Sequence, residues 1–175
     1  METNHEDEGK GEGFISSSNI SEHITFQEAT NSATAARKGI LNIPNEKQIE
    51  NMKILAEKVF EPLRHYISLK RGKTTAIRIN SFFRSEELNK VIGGSATSQH
   101  CNGQAIDISC NYPDFNNKDL FLAIRDKSAF DQLISEFPKN NIPSWVHVSF
   151  NKDGNRKQVL KAISENGKTK YIPFT

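Results

Sequence analysis

Three residues, His100, Asp107 and His147, have the types and spacing that could do chemistry. A hydrolytic zinc ion needs three protein ligands and one open coordination position, and imidazole with carboxylate is a usual set. The segment Ala105 to Ser109 (AIDIS) reads as a strand, so Ala105, Asp107 and Ser109 share one face while Ile106 and Ile108 enter the core. In Trp145 to Phe150 (WVHVSF) the same period sets Trp145, His147 and Ser149 opposite a core face of Val146, Val148 and Phe150. His100 lies on the loop feeding the first strand, and Gly103 allows the turn by which two ligands seven positions apart converge. Cys101 follows His100 directly and is an alternative ligand, though adjacent residues seldom point at one ion and a small half-buried thiol is the commoner state.

The elements that must position these groups follow from periodicity. Thr25 and Glu28 have the spacing of a capping box at the start of a short helix. From Glu46, the residues Ile49, Met52, Leu55, Ala56, Val59, Phe60 and Leu63 recur at three and four, predicting an amphipathic helix with Pro62 near its end. Thr75 to Phe82 predicts a strand, and Ser85 caps a helical turn that Gly93 and Gly94 break. Leu120 to Phe137 predicts a second long helix with some irregularity, and Tyr171, Ile172 and Pro173 a sheet edge. Strands and helices in mixed order predict an α+β fold, a small antiparallel sheet flanked by helices.

Composition excludes several classes of partner. The chain has 175 residues and a formal net charge of +2 with both signs interspersed, so no basic stripe is present to track phosphates and nucleic acid is not expected. No apolar run approaches the length of a bilayer span. The start, METNHEDEGKGEG, is acidic and lacks the basic and apolar regions of a secretory signal, so synthesis in a cytoplasm without a signal peptide is expected. Cys101 and Cys110 suit a reducing site of synthesis. Residues 1–21 are polar and aperiodic, which predicts a flexible tail before a domain over 22–175. Nothing in these residues calls for an obligate oligomer, and a monomer is expected. His5, His23 and His65 are expected to be ordinary solvated histidines.

Ser98 to Asp107 (SQHCNGQAID) matches the pattern Ser-x-His-x-x-Gly-x-Ala-x-Asp. This resembles the family of zinc D-Ala-D-Ala carboxypeptidases and L-alanyl-D-glutamate endopeptidases, whose fold is shared with the hedgehog signalling domain. In that family the motif's His and Asp bind zinc and a later His on a strand completes the set, which implies His100, Asp107 and His147. Ser81-Phe82-Phe83-Arg84-Ser85 is similar to the family's Ser-Gly-Tyr-Arg-Ser segment, and Gly93-Gly94-Ser95 to its approach to the metal motif. The likeness runs over roughly Ile24 to Phe150.

One departure matters. Many members carry a glutamate three residues before the last ligand, where this chain has Ser144, which cannot act as a carboxylate base. The nearest upstream carboxylates are Asp131 and Glu136, in a segment, Phe130 to Glu136, that resembles Phe-Asp-Gln-Leu-Ile-x-Glu of the phage and bacterial branch. The resemblance assigns the base to Glu136, with Asp131 as second candidate; Arg84, at the exit of its strand, offers a fixed fork of donors to a substrate carboxylate or developing oxyanion, the alternative being a pair with a structural carboxylate. Ser98 positions the loop rather than attacking, since no base is placed to activate it. The implied function is zinc-dependent hydrolysis of a peptide bond in bacterial peptidoglycan, endolysin-like or D,D-carboxypeptidase-like. The implied setting is the cell wall, reached by release from the cytoplasm or on a virion. The alternative is a zinc-stabilised binding or structural module of the same fold without catalysis.

Overall fold

A computed structural model describes residues 19–174. Of the expected tail, residues 1–18 lie outside the described residues, whereas Ile20 is buried and Ser21 bridges to Ile24. Helix α1 (Phe26–Thr30) starts on the capping box of Thr25 and Glu28, and α2 (Ala33–Lys38) follows with Ser32 as its cap.

The amphipathic helix begins as expected at Glu46 but does not end at Pro62. It runs as α3 (Glu46–Leu55), a π turn (Ala56–Phe60) and α4 (Glu61–Arg71), closed by Gly72. Proline has no N–H and its ring collides with the carbonyl four residues back. The π turn widens the helix just before Pro62, with the Glu61 N–H reaching back to the Ala56 carbonyl, so the chain passes the proline without breaking. Helices α5 (Glu86–Val91) and α6 (Asn117–Lys127) lie further along the chain, α5 capped by Ser85 as expected.

Six strands form one mixed sheet: β1 (Arg78–Ser81), β2 (Ala105–Ser109), β3 (Gln132–Glu136), β4 (Trp145–Ser149), β5 (Gln158–Glu165) and β6 (Lys168–Pro173). Their order is β1-β2-β4-β3-β5-β6, antiparallel throughout except for the parallel pair β3/β5. The α+β architecture is as expected, and β6 is the predicted edge.

The expected helix over Leu120 to Phe137 is corrected. Helix α6 stops at Lys127, and Ser128 is already extended. The helical stripe of Leu120, Phe121, Ala123 and Ile124 has no apolar successor at 127 or 128, so nothing holds another turn on the core. The chain reverses and returns as β3, pairing with β4.

One face of the sheet is dry. Ile106, Ile108, Leu133, Val146 and Val148 are fully buried there in one apolar cluster with Met52, Leu55, Leu120 and Ile124 of the helices. The alternate residues of β2, β3 and β4 point to the other face, where the polar groups stand.

Candidate metal centre

Register brings the three predicted ligands together. Asp107 pairs with His147 directly across β2 and β4, so their side chains rise side by side from the face opposite the core. His100 enters from a 3-10 turn (Gln99–Asn102) ahead of β2. One ligand atom from each of His100, Asp107 and His147 lies within 4.8 Å of the other two, and all three residues are buried. Asp107 Oδ1 is 3.2 Å from His100 Nε2 and 2.9 Å from His147 Nδ1. The two imidazoles meet edge to face at 5.1 Å between centroids.

The chemistry of these donors suits a divalent metal ion. His100 Nδ1–H donates to the Phe82 carbonyl at 2.6 Å, and since a carbonyl can only accept, this fixes the tautomer and leaves the Nε2 lone pair facing Asp107. Burial lowers the pKa of His100, against the pull of Asp107, so the ring is held neutral as a ligand must be. Burial by itself would raise Asp107, but the contacts it makes with His100 and His147 outweigh it and hold the carboxyl well below the usual range. Two imidazoles and one carboxylate around a common point match a catalytic zinc set with one position open. Cys101 is outside this cluster and burial raises its thiol pKa, so the alternative ligand is not supported.

The segment after β1 is the scaffold of the centre. Phe82 and Phe83 are buried anchors; the Phe82 carbonyl orients His100, and the Arg84 N–H donates to the His100 carbonyl at 3.3 Å. The Arg84 guanidinium donates to Asp107 Oδ2 and, through Nε, to Ser81 Oγ at 2.8 Å. It thereby turns Oδ1 towards the two histidines. Asn42, which sequence reading passed over, pins this segment by donating to the Thr30 and Phe83 carbonyls and accepting from the Ser85 N–H. A lone loop asparagine carries no spacing signal that could have identified it.

Gly103 is required where it stands. Its φ is +69°, and an added Cβ would lie 2.4 Å from the Gln48 carbonyl oxygen and 2.8 Å from Met52 Cγ. The loop needs that close approach, because Gln48 and Asn51 of α3 donate to the Cys101 and Asn102 carbonyls. Gly103→Ala should cost about 3 kcal/mol, from left-handed strain plus displacement of α3 from the loop. Thermal unfolding together with a zinc titration checks this, the variant being expected to lose stability and metal affinity together.

The two carboxylates proposed as base have opposite surroundings. Asp131 is buried and fully engaged: Arg156 donates to both its oxygens from Nε, Nη2 and the backbone N–H, and Gln99 Nε2 donates at 3.0 Å. These hydrogen bonds, Arg156 first, outweigh burial and bring its pKa down to about 2, too low to take a proton near neutrality. Asp131 as second candidate is therefore corrected to a clamp between the metal loop and the segment after β4. Its depressed pKa contributes stability above pH 4 that disappears as pH falls towards 2. Asp131→Asn should cost about 1 kcal/mol at pH 7, the exposed Arg156 end being discounted for screening, with the difference shrinking below pH 4 in urea unfolding series.

Glu136 is the reverse case. On β3 it pairs with Trp145, two positions from His147's partner Ile134, and so shares the face of the ligands. It lines a cleft of about 460 Å³ together with Arg84, His100, Asp107 and His147. Among the described residues its carboxylate has no hydrogen-bond partner. Burial, reinforced by Asp107 and opposed by His147 and Arg84, pushes its pKa up to about 7. The strand, not the expected helix end, is what aims this side chain at the ligands. Ser144, in the position where a glutamate was looked for, donates to the Phe137 carbonyl and stabilises the turn into β4.

Ser98 lines the cleft and its carbonyl accepts from the Cys101 N–H, a loop-shaping part. His23 is tied to Glu61, Nδ1 to Oε2 at 2.7 Å, rather than simply solvated; His65 is exposed, and His5 lies outside the described residues. Among the described residues no helix is long and apolar enough to cross a membrane.

Comparison with known proteins agrees with this geometry. The sequence profile described as Peptidase M15 matches residues 22–149, which include all three clustered residues, Arg84 and Glu136. No curated protein matches the chain. A metallopeptidase donor set, assembled by the elements that the profile spans, places the chain in the peptidase M15 family, the family of the zinc D-Ala-D-Ala carboxypeptidases.

Proposed function

We propose that this protein is a zinc-dependent hydrolase of a peptide bond in bacterial peptidoglycan, with His100, Asp107 and His147 as metal ligands, Glu136 as general base and Arg84 beside the substrate. The observation that carries the catalytic reading is Glu136: a buried carboxylate with no hydrogen-bond partner among the described residues, on the face of His147 and Asp107, with its pKa raised to about 7. A carboxylate kept this way costs stability and has no structural task, which favours an enzyme over a zinc-stabilised module. A bound Zn²⁺ would supply Lewis acidity towards the scissile carbonyl and lower the pKa of a water towards about 7.

The chain's own residues supply the rest. Glu136, near its midpoint of titration at neutral pH, accepts a proton and passes it to the leaving amine. The Phe82 carbonyl holds His100 in the ligating tautomer and Arg84 holds the Asp107 carboxylate in place, while Arg84, as a residue lining the cleft, would also donate to a substrate oxygen. Since Glu136 accepts only when ionised, kcat/KM should rise with pH along an acid limb of apparent pKa no higher than about 7, and that limb should vanish in Glu136→Gln. The wall would be met after release from a cytoplasm or on a virion, by analogy with the relatives that the sequence resembles.

Zymography on purified peptidoglycan tests the proposal. Clearing with zinc-loaded protein and none with chelator is the expected result; intact muropeptides after long incubation with zinc-loaded protein would overturn it.

A further inference from the structure

The cleft does not end where the family match ends. The matched segment stops at residue 149, yet the hairpin β5/β6 that follows contributes Leu160, Thr169 and Tyr171 to the cleft wall. Register shows how. Trp145, Glu136, Ala162 and Tyr171 are successive partners across β4, β3, β5 and β6, so they form one row on one face of the sheet. His147, Ile134 and Leu160 form the neighbouring row on the same face. The floor that carries the metal centre therefore continues across β3 and β5 to the edge strand.

In the Glu136 row the residue between carboxylate and phenol is Ala162, which is wholly buried and has nothing beyond Cβ to stand between them. Tyr171 itself is 54% exposed, an aromatic ring left open at the rim of a polar cleft. Three strand spacings separate β4 from β6, on the order of 14 Å, which an extended peptide covers in about four residues, fewer once the reach of the tyrosine side chain is counted.

Resting on the peptidase reading above, we propose that Tyr171 is a specificity-determining residue that grips the substrate peptide two to three residues from the scissile bond, making the enzyme selective for longer peptides. An exposed aromatic ring gives large contact area at small entropic cost, the property expected of a peptide-gripping wall. Burial raises the Tyr171 pKa, with the negative charges of Glu136 and Asp107 adding to it, which agrees with a phenol leaning into the cleft.

The test uses stem peptides of two to five residues. For the native protein kcat/KM should increase about tenfold or more from the shortest cleaved peptide to the longest. In Tyr171→Ala that ratio should fall to near one, and in Tyr171→Phe it should persist, because the ring and not the hydroxyl makes the contact. A ratio unchanged in Tyr171→Ala would overturn the inference, whatever the absolute rates. Binding decides the matter independently of turnover. Trp145, the single tryptophan, lines the same cleft, so its fluorescence can follow peptide titrations of zinc-loaded Glu136→Gln protein with and without Tyr171→Ala. Affinity that grows with length and loses that dependence in Tyr171→Ala upholds the role of Tyr171 even if no peptide is cut, in which case the peptidase reading alone fails. Affinity independent of length overturns the inference while leaving the peptidase reading to stand on hydrolysis.

Discussion

Glu136→Gln should retain stoichiometric zinc, lose about a hundredfold to ten-thousandfold in kcat, and be more stable than the native protein at alkaline pH. The three effects have one cause. Glu136 lies outside the ligand set, so its replacement leaves the metal-binding atoms in place. Gln fills the same space but cannot accept a proton, so the step that needs a base fails. The stability effect follows from linkage: the folded pKa of about 7 stands above the ordinary 4.5, so the folded state holds its proton over a range where the unfolded chain has lost it. Stability therefore declines as pH rises from 4.5 to 7, and the full cost of burying the charge is present above 7. Because one side of the carboxylate faces the cleft, about 1 to 2 kcal/mol of that cost should be recovered by Gln in metal-free protein at pH 8, and almost none at pH 4. Calorimetry of the two metal-free proteins across this range measures it. A variant less active and more stable marks a group kept for chemistry; a variant less stable at pH 8 would show that Glu136 has a structural role instead.

His147→Ala should be the most severe single change to the centre. It removes one of the three proposed ligands and leaves Asp107 with one histidine fewer. Zinc affinity should fall at least about a hundredfold, and peptide hydrolysis below detection. A readout independent of activity exists, because a ligand that binds only the folded state stabilises it. At zinc a thousand times above its dissociation constant the native protein gains about 4 kcal/mol, or about 10 °C in Tm for a chain of this size. His147→Ala should lose that gain. A zinc-induced rise in Tm that survives the substitution would remove His147 from the ligand set.

Much of the site was legible because strands alternate. The period of two in AIDIS and WVHVS put Asp107 and His147 opposite buried Ile and Val faces, and the observed Asp107 and His147 pair is the direct result. Gly103 was legible as a turn, but that α3 presses on it from outside was not, since only tertiary structure brings Gln48 to within 2.4 Å of the missing Cβ. The reading of Gln132 to Glu136 as helix failed for a physical reason. Leu133 and Ile134 are both buried, one against the helices and one in the cleft floor, so the strand lacks the polar and apolar alternation that would announce it. Likewise the roles of Asp131 and Glu136, five residues apart in one segment, depend on partners that sequence spacing does not show: Arg156 and Gln99 for the first, none among the described residues for the second. Pro62 misled in the other direction, because a π turn can carry a helix past a proline that would otherwise end it.

On the proposed reading, the three converging residues hold a metal ion used to cut peptidoglycan peptides. Mass analysis of muropeptides incubated with the protein tests it most directly, comparing the zinc-loaded form, the form stripped by chelator and the stripped form resupplied with zinc. New peptide fragments are expected in the first and third and none in the second. Unchanged muropeptides with the zinc-loaded form, or cleavage that continues in the stripped form, would contradict it.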